Sequence, residues 1–420
     1  MKEQSFVIKG GYHLKGEIDV RGSKNAALPI LAATILSEEP SIIENVPLIE
    51  DVFRMIEILE SMGARVDWIE KRSIKIDTKN LDPAKIDYNL VGKLRASILF
   101  IGSALARFKK FTTKSPGGCD IGSRTLEPHF NAFKSLGVKI KEVDDKYIFE
   151  AGEVKNTIVV LDEFSPTATE NILLFAALSK KEIEINLCAT EPHVQDLCFF
   201  LQKMGVNIIG IKSNSLKING AKKLKGARHK IISDYIEIGT FISLAASTKS
   251  KITIKNIIPE HLTSILAMAK RFGIMFELKK NSLKILSYNK LRAVSKVLVL
   301  PYPGFPADLQ APFGVLATQA EGTTLIQDTL FDGRFKYINE LNKMGGNCII
   351  MDPHRALIIG PTPLYGNTIE SFDLRAGATS IIAGLLAEGE TIINNIYQVD
   401  RGYEKIDERL QKLGARIKRI

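Results

Sequence analysis

Hydrophobic and polar positions form a phrase that returns six times along the chain: an amphipathic helix tail, a glycine, then an alternating strand-like run. The first copy is Leu59-Glu60-Ser61-Met62-Gly63-Ala64-Arg65-Val66, and the others turn on Gly137, Gly205, Gly273, Gly345 and Gly414. A glycine at that point suits a helix C-terminus, where the next residue takes a left-handed conformation. Successive glycines are 74, 68, 68, 72 and 69 residues apart. A period of that size marks a tandem structural repeat and overrides the domain count that length alone suggests.

Each unit is expected to open with a helix rich in small residues, as in residues 25–33, 96–106 and 376–387. These stretches are apolar nearly all round, so they belong inside. A strand follows, such as residues 391–396, and then an amphipathic outer helix such as residues 52–59. Helices inside and sheets outside invert the usual α/β barrel. Six units divide into three plus three, giving two lobes with a cleft between them.

One unit breaks the rule. From the end of its first strand to its glycine, each other unit has 17 to 19 residues, whereas the second has 23, counted from Lys114. The surplus is Ser115-Pro116-Gly117-Gly118-Cys119-Asp120-Ile121-Gly122-Ser123-Arg124. Its glycines allow close backbone approach to a ligand, Cys119 supplies a thiol and Arg124 an anion-binding guanidinium. A surface turn with an incidental cysteine is the competing reading.

Composition changes the picture only at the margins. With 45% hydrophobic and 25% charged residues the chain is an ordinary globular protein. Its first residues lack the apolar run of a signal peptide, and no stretch reaches membrane-span length, so a cytoplasmic location is expected. Four cysteines without C-x-x-C spacing indicate neither a zinc site nor a disulfide framework; Cys188, Cys198 and Cys348 read as core. The net charge of +10 raises the question of nucleic-acid binding, for which Lys222–Lys230 is the best candidate patch, but that run has no interleaved aromatics and reads better as a solvated linker.

Residues 22–29 (Gly-Ser-Lys-Asn-Ala-Ala-Leu-Pro), 94–97, the Pro116–Arg124 loop, 305–310 (Phe-Pro-Ala-Asp-Leu-Gln), 373–376 (Asp-Leu-Arg-Ala) and 400–404 (Asp-Arg-Gly-Tyr-Glu) closely resemble the UDP-N-acetylglucosamine 1-carboxyvinyltransferases. The resemblance runs in order over essentially the whole chain. It implies a two-lobed inside-out α/β barrel of six repeats, three per lobe, with lobes of residues 24–232, and of 1–23 with 233–420. It also implies transfer of the enolpyruvyl group of phosphoenolpyruvate to the 3′-hydroxyl of UDP-N-acetylglucosamine, the first committed step towards peptidoglycan, in a monomer needing no cofactor or metal. The sister family, 3-phosphoshikimate 1-carboxyvinyltransferase, typically has Lys-Ser where Lys24-Asn25 stands, and lacks the cysteine loop.

By the same resemblance Lys24, Arg124 and Arg401 hold the donor's phosphate and belong to the catalytic set, Lys24 aiding proton transfer or charge stabilisation, while Arg334 and Arg375 face its carboxylate and Asp373, in the same motif as Arg375, is a substrate-binding residue. Bidentate arginine suits both groups. Asp308 matches the family's base, although an aspartate before Leu309-Gln310-Ala311 also reads as a helix cap. Cys119 matches the family's loop cysteine, as general acid, as an aid to product release or as the site of a covalent adduct, and it is the thiol that fosfomycin alkylates in that family. The sugar nucleotide is assigned to Asn25, Arg95, Arg124 with Thr125, Leu126, Glu127 and Pro128, then Glu163, Phe164, Ser165 and Pro166, and Leu330. Three positions depart from the usual pattern: Glu163 for Lys, Thr167 for Gly and Ala307 for Thr. His193, where a second Glu is usual, reads as structural, and His129 as a cap, a packing residue or a catalytic one.

Overall fold

A computed structural model describes residues 4–117, 125–154, 157–286 and 290–420. Among these, two compact units each contain three repeats: residues 22–232 form one, and residues 4–21 with 233–420 the other. The first crossing falls at 21–22, because Gly22 and Ser23 are already tied to the unit they enter. Ser23 accepts from Ala26 N as the cap of Lys24–Ala33, and its own N–H donates to Ile232. Gly22 lies so close to the Asn45 carbonyl that a Cβ would sit 1.9 Å from its oxygen.

In the unit of residues 22–232 the inner helices are Lys24–Ala33, Phe100–Phe108 and Pro166–Ala176. In the other they are Tyr235–Ser247, Gln310–Thr318 and Leu374–Leu386. All thirteen residues of Tyr235–Ser247 are buried, as an apolar circumference requires. The second repeat begins differently from its expected single helix: Arg95–Leu99 is a 3-10 turn that feeds Phe100–Phe108. Outer amphipathic helices such as Glu50–Ser61 and Thr263–Arg271 cover the cores.

Among the described residues six sheets lie on these helices, three in each unit. In the first repeat Arg65–Glu70, Ser73–Asp77 and Ser41–Glu44 pair antiparallel, and Arg228–Lys230 adds a parallel edge strand. The basic run at 222–230 is therefore not a linker throughout: His229 is buried in that strand and Arg228 pairs with Glu44. In the sixth repeat the middle strand comes from the start of the chain, Phe6–Lys9, antiparallel to both Glu390–Asn394 and Arg416–Arg419. Lys15–Asp19 joins the fourth repeat parallel to Lys251–Lys255.

All six repeat glycines have positive φ, between 84° and 114°, so each ends its outer helix as expected. A second recurring device uses asparagine at three of its four positions, a residue that tolerates the left-handed region. Asn45, Leu187, Asn256 and Asn395, each just past a repeat's first strand, also have φ between 55° and 60°. Cys188, Cys198 and Cys348 are buried, and burial pushes the thiols of Cys188 and Cys348 up to about 12.

Candidate active site

In the unit of residues 233–420, Asp308 sits in the helical turn Ala307–Leu309 that leads into Gln310–Thr318. Neither segment receives a side-chain cap bond, so the cap reading is corrected. The two carboxylate oxygens go instead to two arginines. Arg334 Nη1 donates to Oδ1 at 3.1 Å, and Arg375 Nε donates to Oδ2 at 3.1 Å. These three residues, far apart in the sequence, form one charged cluster.

Each arginine is held from behind. The Arg334 guanidinium stacks 4.3 Å above the Phe331 ring, a cation–π contact. The turn carrying both Phe331 and Leu330 is fixed by buried Asp328, whose Oδ1 accepts from the N–H of each at 3.0–3.1 Å. Arg375 is the second residue of the helix Leu374–Leu386, and the Asp373 side chain caps that helix by accepting from Arg375 N and Ala376 N at 2.8 Å. Asp373 thus orients the helix that presents the guanidinium. Burial pulls Arg375 down, but Asp308, Tyr403 and Asp234 outweigh it and leave the guanidinium firmly charged. Arg401 is buried after Tyr397–Asp400 and donates from Nη1 to Gln398 Oε1 at 3.1 Å.

The other unit carries a second group of expected residues. Lys24 opens its helix with Asn25 beside it, and its Nζ lies 2.8 Å from Asp51 Oδ2. Asp51 is buried in the first turn of Glu50–Ser61; nothing in its sequence context links it to Lys24. Arg95 Nη2 donates to the Thr125 carbonyl at 3.3 Å, and burial lowers its pKa. Leu126 precedes the helix Glu127–Ser135, in which Pro128 is a first-turn residue. Ser165 caps Pro166–Ala176 by accepting from Ala168 N, and its N–H donates to the Glu163 carbonyl. Glu163 is exposed and Phe164 half-buried. Gly117 enters the cysteine loop against Gly92, where a Cβ would meet the carbonyl oxygen at 1.5 Å; only glycine fits there. Cys119 and Arg124 lie outside the described residues.

His129 is buried and its ring is fully engaged. Asn171 Oδ1 accepts from Gly102 N at 2.9 Å, which turns its amide nitrogen towards the Ile98 carbonyl and His129 Nδ1, 3.1 and 3.0 Å away. Nδ1 must therefore accept, so Nε2–H donates to Thr167 Oγ1 at 3.2 Å. Thr167, one of the departures from the usual pattern, completes this network. Burial and then the Arg95 charge pull His129 from 6.5 to about 3. Below pH 6.5 the unfolded chain takes up a proton that the native ring refuses, so the stability this ring contributes is lost as pH falls. By pH 4.5 the loss reaches about 2–3 kcal/mol. Urea unfolding across that range should show a His129→Gln variant less acid-sensitive than the parent; equal pH slopes would contradict the assignment. His193 is buried with Nε2 3.9 Å from Glu170 Oε1, whose carboxyl burial and then Glu191 raise well above 4.5.

Residues 8–410 match the EPSP synthase (3-phosphoshikimate 1-carboxyvinyltransferase) family. The UDP-N-acetylglucosamine 1-carboxyvinyltransferase of Treponema denticola is 42% identical over 419 residues, covering 98% of each chain. That of Halothermothrix orenii is 43% identical over 415 residues, covering 99% of each. Among solved structures, the enolpyruvyl transferase NikO from Streptomyces tendae superposes with a TM-score of 0.90 at 23% identity, over 99% of both chains. EPSP synthase from Acinetobacter baumannii gives 0.75 at 18%, over 100% of both. These two likenesses establish the expected α/β fold. With relatives above 40% identity along nearly their full length, the chain belongs to the enolpyruvyl transferase family and, within it, to the UDP-N-acetylglucosamine 1-carboxyvinyltransferases.

Proposed function

We propose that this protein transfers the enolpyruvyl group of phosphoenolpyruvate to the 3′-hydroxyl of UDP-N-acetylglucosamine and releases phosphate, the first committed step towards peptidoglycan. The observation that carries the reading is Asp308 between Arg334 and Arg375, in a chain whose relatives bear that enzyme's name. One carboxylate flanked by two guanidiniums offers both a proton acceptor and a seat for a small polyanion.

In this reading Arg334 and Arg375 take the donor's carboxylate, and Lys24, Arg124 and Arg401 its phosphate. Phosphoenolpyruvate competes with Asp308 for the two arginines, so its binding releases the aspartate to act as base. The acceptor hydroxyl then loses its proton to Asp308 and adds to C2, while C3 gains a proton to become a methyl group. In the second half the methyl group returns a proton and the C2–O bond to phosphate breaks. The sugar nucleotide falls to Asn25, Arg95, the 124–128 run, Glu163, Phe164, Ser165, Pro166 and Leu330. The reading carries with it a cytoplasmic monomer.

Cys119 serves as acid, as product-release group or as the site of a covalent adduct, and nearby cations would favour its thiolate. Incubation with fosfomycin and the sugar nucleotide should add one inhibitor mass per chain, and none to a Cys119→Ser variant. An unchanged intact mass of the parent protein would contradict that role. Phosphate release from phosphoenolpyruvate tests the activity itself. It is expected with UDP-N-acetylglucosamine and not with shikimate 3-phosphate; release only with the latter would overturn the reading in favour of the sister reaction.

A further inference from the structure

Behind Arg375 lies a chain of hydrogen bonds that the transfer reaction does not itself call for. Arg375 Nη1 is 3.2 Å from the Tyr403 hydroxyl, and that hydroxyl is 2.9 Å from Thr240 Oγ1. Thr240 Oγ1 donates in turn to the Ile236 carbonyl, one turn back on its own helix, at 3.0 Å. The directions are fixed by the donor inventory. The single hydroxyl hydrogen of Thr240 goes to Ile236, so Thr240 accepts from Tyr403. A guanidinium only donates, so Tyr403 accepts from Arg375.

The parts come from three separate segments and all are buried: Thr240 on Tyr235–Ser247, Arg375 on Leu374–Leu386, and Tyr403 after Tyr397–Asp400. Gly402 packs directly on Leu374, the neighbour of Arg375: a Cβ there would sit 2.2 Å from Leu374 Cδ1. The groups facing the guanidinium are Asp308 through Nε, Tyr403 through Nη1, and the Asp234 carboxylate, which caps the helix bearing Thr240.

We infer that Tyr403 and Thr240 are positioning residues for donor binding. Their one-way hydrogen-bond chain fixes the rotation of the Arg375 guanidinium, so that its remaining N–H groups meet the carboxylate of phosphoenolpyruvate when Asp308 gives way. The inference rests on the reading that Arg375 binds that carboxylate. Because Asp308 alone would let the guanidinium swing about its Nε contact, the second anchor sets the plane in which bidentate recognition works.

The test is steady-state kinetics on the full-length protein, with calorimetric titration of phosphoenolpyruvate alongside. Tyr403→Phe keeps the ring and strands a buried Arg375 donor. It should raise the KM and Kd for phosphoenolpyruvate roughly 10- to 30-fold, with kcat and the KM for UDP-N-acetylglucosamine little changed. Thr240→Val should act in the same direction, and the double variant should be no worse than the stronger single one, since both break one chain. Thr240→Ser, which keeps the hydroxyl, should return the donor's KM towards the parent value. A folded Tyr403→Phe protein with unchanged donor KM and Kd would overturn the inference. So would a rise in both substrates' KM values that tracks a fall in melting temperature. If the parent protein binds phosphoenolpyruvate but transfers nothing, the proposed activity fails while the titration still decides the role of Tyr403.

Discussion

Replacing Asp308 by asparagine is expected to lower kcat by about a thousandfold without raising the KM for phosphoenolpyruvate. A positioned general base contributes on the order of 10² to 10⁴ in rate, and the amide removes the proton acceptor while keeping the side chain's shape. The second half of the expectation comes from the ion pairs. In the unliganded protein the carboxylate occupies Arg334 and Arg375, the groups the donor needs. Neutralising it removes a competitor for them, so donor binding is unchanged or tighter. If Asp308 served only to hold the arginines in place, the same variant would raise the donor's KM and leave kcat nearly intact. Steady-state kinetics against phosphoenolpyruvate separates the two.

The second large effect is expected at Arg375. Lysine retains the charge but not the planar fork. It cannot reach Asp308 Oδ2 and the Tyr403 hydroxyl together as Arg375 does, nor grip a carboxylate with two parallel bonds. Losing two charge-assisted hydrogen bonds at about 1.5–2 kcal/mol each predicts that kcat/KM for phosphoenolpyruvate falls by about 10² to 10³. The KM for the sugar nucleotide should stay near the parent value. Loss of affinity for both substrates in Arg375→Lys would mean that the residue supports the fold of its unit more than it binds the donor.

Much of the architecture is legible in the sequence because its signals are local. The glycines at 63, 137, 205, 273, 345 and 414 announce six helix ends, and each adopts the left-handed conformation its place demands. Apolar stretches such as 376–387 declare themselves as interior helices because they are apolar nearly all round. What local pattern cannot give is pairing across distance. Nothing near Phe6–Lys9 says that it becomes the middle strand between Glu390–Asn394 and Arg416–Arg419. Nothing in the Lys222–Lys230 run marks its end as an edge strand beside Ser41–Glu44.

The site divides in the same way. Asp308 and Arg375 stand out as motif residues, but that they bind each other across 67 positions of sequence is a tertiary fact. The cap reading of Asp308 fails because a nearby pair of guanidiniums is a stronger partner for a carboxylate than the first N–H groups of a helix. Asp51 escapes notice since an acidic residue in a helix's first turn looks like ordinary dipole compensation, and only the fold brings Lys24 to it. Thr167 looks like a defect in the sugar-nucleotide motif until its hydroxyl is seen to hold His129. Tyr403 lies within the motif at 400–404, yet its role depends on Thr240 and Arg375, each on another element.

The measurement that bears most directly on the proposed activity is the structure of the product. Proton and carbon NMR of the sugar nucleotide, taken after incubation with phosphoenolpyruvate and the purified protein, should show a pair of vinyl protons and a displaced resonance at the 3′ carbon, matched by an equal amount of free phosphate. An unaltered sugar nucleotide, or an enolpyruvyl ether on any other hydroxyl, would contradict the proposed reaction.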